Sequence, residues 1–179
     1  PLAWNGLLAF MIVFVASIAY LRTQNIKFDI LARAAAEIGV VFTVLTLATG
    51  MIWARTAWGA WWSWTDVRLV TYFLLLLLYM GYLMLGNSVE EESKRARFLS
   101  VFGIVAFLDV PLVFFSVRWW TSVTNHPVLF KSGMVLNGQM KVAFFSGLAI
   151  FTIFFIALLI VRNKIGKAQD ELIAIKEEL

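Results

Sequence analysis

Cysteine is absent, and its absence excludes a disulfide framework and any thiolate metal site in this chain. Any thioether chemistry would have to use a partner's thiols. Histidine occurs once, at His126, so no pair of imidazoles is available to a metal from these residues. Charge is scarce as well: 15% of residues are charged, against about 25% in an ordinary soluble domain. Proline occurs three times. The first of these, Pro1, opens directly onto an apolar run, with no charged leader and no small-residue cleavage pattern, so no signal peptide is expected.

What fills the chain instead is apolar. Of the 179 residues 61% are hydrophobic, with 16 Phe and 8 Trp. A soluble core of this size has no room to hide that much apolar surface. Five runs, at about 2–21, 35–54, 69–86, 98–117 and 142–161, are each long enough to cross about 30 Å of hydrocarbon as a helix. Lipid offers no partners to free backbone groups, so these spans are expected to be helical. The expected fold class is all-α, a polytopic transmembrane helix bundle with five spans in this chain. Residues 1–163 form the transmembrane domain, and 164–179 form a cytoplasmic amphipathic tail helix.

Five crossings put successive connections on alternate sides. Ten basic residues then share one side: Arg22, Lys27, Arg33, Lys94, Arg95, Arg97, Arg162, Lys164, Lys167 and Lys176. Arg55, Arg68, Arg118, Lys131 and Lys141 share the other. By the positive-inside rule the richer side is cytoplasmic, and the net charge of +4 reports orientation, not a nucleic-acid partner. The connection 87–97 reads as a solvated turn. The tail carries Ile165, Leu172 and Leu179 with Ala168 and Ile175, a heptad seam too short to be stable alone.

The tryptophans do not follow this symmetry. Trp53, Trp58, Trp61, Trp62 and Trp64 fall in the loop 53–68, and Trp119 and Trp120 fall in the loop 118–141, both on the side poor in charge. Read as helix, Trp58, Trp61 and Trp62 stand at i, i+3 and i+4 and share one face, a flat aromatic shelf. One or two indoles would be an interfacial belt. Five in one connection, beside Asp66 and Arg68, are equally a ligand platform. A haem suits such a platform: its macrocycle is apolar, its iron accepts a neutral imidazole, and its propionates suit Arg68, Arg118 or Arg55. His126 precedes Pro127, which biases it out of helix and into the loop. It is either an exposed loop residue or the imidazole that reaches the shelf. Inside the spans, Glu37 lies near headgroup level. Asp109 sits mid-span before Pro111, which removes one backbone hydrogen bond, and a hydrogen-bonding structural role is expected for it.

The run Trp58-Gly59-Ala60-Trp61-Trp62-Ser63-Trp64, followed by Asp66-Val67-Arg68-Leu69, resembles the tryptophan-rich WWD signature of haem-handling membrane proteins of cytochrome c maturation. Ala36-Glu37-Ile38-Gly39, Thr49-Gly50-Met51-Ile52-Trp53, Phe115-Ser116-Val117-Arg118-Trp119-Trp120 and His126-Pro127 place the resemblance in the CcmC branch, over most of residues 2–162. Thr65 departs from the signature, which has Asp directly after its last Trp. The resemblance implies a six-helix bundle with both ends cytoplasmic, so that one helix and one axial histidine precede Pro1. It also implies haem b at the outer face of the inner membrane, held by Trp58, Gly59, Trp61, Trp62, Trp64, Asp66, Arg68, Arg118, Trp119 and Trp120, with His126 on the iron. The implied partners are CcmA/CcmB-like ABC transporter subunits, a CcmD-like single-span subunit and a CcmE-like haem chaperone. The chain itself would be a delivery scaffold and not an enzyme, and without a phosphate-binding loop of its own it would leave ATP hydrolysis to the partner subunits. Two other readings are a cytochrome c synthetase subunit of the same superfamily and a cofactor-free transport subunit. A quinone-linked cytochrome b would need histidines on facing spans, which the sequence does not have.

Overall fold

The computed structural model describes residues 1–119 and 138–177. They form six helices in chain order: α1 (Leu2–Thr23), α2 (Ile26–Trp58), α3 (Val67–Ser88), α4 (Glu92–Phe107), α5 (Asp109–Trp119) and α6 (Gly138–Glu177). Five stretches are long and apolar enough to cross a membrane, with α4 and α5 together supplying one of them. All five runs expected from hydropathy fall inside these helices, and the molecule is an all-α transmembrane bundle.

The α1–α2 hairpin turns in two residues. Gln24 adopts a left-handed conformation, φ 54°, and its N–H donates to the Tyr20 carbonyl at 2.7 Å. Asn25 then caps α2, its side chain accepting from the Lys27 N–H at 3.1 Å. Along the pair, small residues let the backbones approach: Ala9 and Ala16 on α1 are buried, as are Ala32, Ala35 and Ala36 on α2. Gly39 marks the closest approach, since a Cβ there would stand 2.6 Å from Phe10 and 2.9 Å from Ala9. Phe10 in turn stacks on Tyr79 of α3 with centroids 3.7 Å apart, which ties the hairpin to the rest of the core.

The fourth span is broken at Leu108. Pro111 has no N–H to return to the Phe107 carbonyl, and the Leu108 N–H bonds instead to Val105 at 3.1 Å. Asp109 opens the second half and is buried, 4% exposed, but neither carboxylate oxygen has a hydrogen-bond partner among the described residues, so the hydrogen-bonding role expected for it is not seen.

The last helix sits at the edge. Phe155 is its main anchor, fully buried and edge-on to Phe42. Most of its other apolar side chains, Ile153, Phe154, Ile156 and Ile160 among them, are exposed. In hydrocarbon such exposure carries little penalty, because lipid tails are as apolar as leucine. The boundary expected at 163/164 falls inside α6, which continues without interruption as far as Glu177. The anticipated seam residues Ile165, Leu172 and Ile175 are exposed. A different row, Arg162, Gly166 and Asp170 at i, i+4 and i+8, faces α2: Arg162 pairs with Glu37, and Arg33 approaches Asp170 at 3.9 Å.

Antiparallel packing sorts the connections. The turns at 24–25 and 89–91 mark the basic end, and the 59–66 turn marks the tryptophan end.

Candidate functional site

The aromatic turn is made by stopping one helix and starting another. α2 ends at Trp58 because Gly59 takes φ 76°, a left-handed conformation open to glycine without steric cost. The Gly59 N–H donates to the Arg55 carbonyl at 3.2 Å, and the Arg55 guanidinium returns to the Gly59 carbonyl. Arg55 therefore sits where the helix dipole favours a cation. Nothing lies within 4 Å of a Cβ built on Gly59, so what this residue contributes is backbone conformation.

Asp66 starts α3. It is 1% exposed, and its Oδ1 accepts from the N–H groups of Arg68 at 3.1 Å and Leu69 at 3.3 Å, the second and third positions of the helix. Ser63 and Thr65 hydroxyls bond at 2.8 Å, and the Asp66 N–H donates to the Ser63 carbonyl at 3.3 Å. Thr65, the extra residue of the signature, is thus part of the closure of the turn.

Residues 59–66 are not helical, and the expected shelf on one helix face does not form. Gly59 breaks the periodicity on which that expectation stood. Two separate ring groups replace it. Trp53 and Trp58 meet edge to face at 4.9 Å on the last turns of α2. Trp62 and Trp64 meet at 5.4 Å, and both rest edge-on against Phe73 of α3 at 5.8 and 6.2 Å. Such T-shaped contacts are favourable beyond their buried area. Trp62 is half-buried, while Trp64 is 71% and Trp61 54% exposed. The turn thus has a seated ring and two rings offered outward. Phe73 was not singled out by sequence, because an aromatic near the start of an apolar span carries no signal of its own.

Arg68 lies just inside α3, half-buried, in the electrostatic field of Asp66 and Tyr72. Tyr72 is itself buried near Thr43 and Thr46 of α2. Trp119 stands at the end of α5, 61% exposed, stacked on Phe115 with centroids 5.4 Å apart. Arg118 is in the same helix. Trp120 and His126 lie outside the described residues.

The structure brings together Trp58, Gly59, Trp61, Trp62, Trp64, Asp66 and Arg68 in one turn. A flat amphiphile fits what this turn offers: exposed indole faces, a buried Trp62 Nε1 without a hydrogen-bond partner, and the Arg68 guanidinium at the second position of α3. An iron ligand of the imidazole type is not present among the described residues.

Fold and turn together define a polytopic helical membrane protein that presents a clamped, tryptophan-rich turn at one end of its bundle. The chain belongs to the CcmC family: the family model described as heme exporter protein C matches residues 1–175. It is 33% identical over 159 residues to heme exporter protein C of Bradyrhizobium diazoefficiens, covering 88% of this chain and 60% of that protein. It is 30% identical over 155 residues to a putative cytochrome c biosynthesis ccmC-like mitochondrial protein of Marchantia polymorpha, covering 87% and 64%. Heme exporter protein C of Escherichia coli K12 is 31% identical over 123 residues, 67% of this chain and 48% of that protein. The chain spans roughly half to two thirds of the length of these relatives.

Proposed function

We propose that this chain is a haem-delivery scaffold of cytochrome c maturation, holding haem b at the tryptophan end of the bundle for transfer to a CcmE-like chaperone. The observation that supports this most is the pairing of a rigid frame with outward rings. Gly59 and Asp66 fix the two ends of the turn, and Trp61 and Trp64 are left exposed between them. Preorganised rings lose little freedom when a flat partner covers them.

In this reading Trp61, Trp62 and Trp64 cover the macrocycle and exclude water from one face. Arg68, with Arg118, would meet the propionates through charge-assisted hydrogen bonds. Trp58, Trp119 and Trp120 border the site, and Gly59 and Asp66 hold its frame. His126 would supply an imidazole to the iron from the 118–141 connection. Bound haem supplies the iron centre and the vinyl edge that later chemistry uses. The basic end faces the cytoplasm and the tryptophan end the periplasm, with CcmA/CcmB-like and CcmD-like subunits providing ATP hydrolysis and assembly.

The test compares purified proteins loaded with haem. Replacing Trp61 and Trp62 together by alanine is expected to weaken retention about tenfold, the order given by losing two aromatic contacts. Trp119→Ala is expected to cost clearly less. Equal effects would identify the indoles as an interfacial belt.

A further inference from the structure

Three cavities meet at one ion pair, at the end of the bundle away from the tryptophans. Glu37 of α2 and Arg162 of α6 are joined at two points: Nη2 donates to Oε1 at 2.7 Å, and Nε donates to Oε2. On the side facing hydrocarbon this pair closes an apolar groove of about 330 Å³ between α2 and α6, lined by Ile38, Val41, Leu158 and Val161. Toward the bundle axis the same two residues wall a second cavity of about 320 Å³, with Arg33, Tyr82, Asn87 and Gln169. A small third pocket beside Asp170 shares them too.

Apolar groove and polar cavity, divided by a paired charge that shares its cavity with Tyr82, Gly86 and Asn87 near the end of α3, are the two halves of a site for an amphiphile. Charge decides which kind. Arg33 and Arg162 are faced by Glu37, Asp170 and Asp29, the last 3.0 Å from Arg33. A purely anionic headgroup would meet carboxylates as well as guanidiniums and gain little. A zwitterion meets a partner of opposite sign for each of its charges. The Tyr82 hydroxyl sharpens this further, for it is fully buried, borders the cavity and has no hydrogen-bond partner. A primary ammonium has three N–H donors for Glu37, Tyr82 and the amide oxygens of Asn87 or Gln169, whereas a quaternary choline has none. Neither the groove nor the polar cavity is lined by His, Met or Cys.

We propose that this junction binds a phospholipid and selects the ethanolamine headgroup: acyl chain in the α2–α6 groove, phosphate on Arg162, ammonium on Glu37 and Tyr82. Binding exchanges the internal ion pair for two external ones, so neither charge is left buried and unpaired. The inference is independent of haem handling.

Native mass spectrometry of the purified chain, titrated with phosphatidylethanolamine, phosphatidylcholine and phosphatidylglycerol of matched acyl chains, tests it. Wild type is expected to retain the ethanolamine lipid about tenfold more tightly than the choline lipid, the scale of one charge-assisted hydrogen bond. Glu37→Gln should erase that preference, and Arg162→Gln should weaken all three lipids. Val41→Trp, at an exposed position, should fill the groove and lower retention in a protein whose ion pair is intact. Equal retention of ethanolamine and choline lipids by wild type would overturn the proposal. So would retention led by the glycerol lipid, or a Val41→Trp protein that binds as wild type does.

Discussion

Asp66 and Gly59 bracket the aromatic turn, and both act on backbone. Asp66→Ala removes the acceptor of two helix N–H groups, a loss of about 1 kcal/mol for a cap of this kind. The expected result is a lower melting temperature in detergent together with weaker haem retention, while Asp66→Asn, which keeps an acceptor oxygen, recovers most of both. If Asp66→Asn were as damaging as alanine, the carboxylate would be acting through its charge and not as a cap. Gly59→Ala forces a side chain into the left-handed region and is expected to cost about 1–2 kcal/mol, again read by thermal unfolding. No neighbour is near enough to clash, so the loss would report conformation alone. Both residues were visible in sequence as a glycine after a helical run and an aspartate before one. The i, i+3, i+4 spacing of Trp58, Trp61 and Trp62 makes one face only if the segment is helical, and Gly59 ends the helix before Trp61 is reached.

At the scale of elements, the spans could be read from apolar length, and their ends could not. α2 begins at Ile26, nine residues before its apolar run, because Asp29 and Arg33 pair at i, i+4 and carry helix through a charged stretch. The break of the fourth span falls at Leu108, three residues before the proline that causes it. Contacts between distant positions leave no trace in one sequence: Glu37 was legible as a headgroup-level carboxylate, but Arg162 as its partner 125 residues away was not. The α1–α2 pair is the most closely packed joint. Gly39→Ala places a methyl 2.6 Å from the Phe10 ring, which is itself pinned on Tyr79, and 2.9 Å from Ala9. Overpacking of this kind costs about 1–3 kcal/mol, so the variant is expected to unfold earlier than wild type. Unchanged stability would mean that the hairpin has slack.

For the whole molecule, the two ends are chemically unlike. The basic end carries the interhelical charge pairs that tie α6 to α2, and the tryptophan end carries exposed indoles on a clamped frame. The sequence made that polarity readable through the spacing of arginine, lysine and tryptophan alone. The proposed role requires the tryptophan end to hold haem with an imidazole from the 118–141 connection. Absorption spectra of the purified full-length protein, oxidised and reduced, with and without His126→Ala, test it most directly. The expected result is a low-spin haem spectrum in wild type that loses intensity or shifts to high spin in the variant. Identical spectra and equal haem occupancy in the two proteins would contradict it.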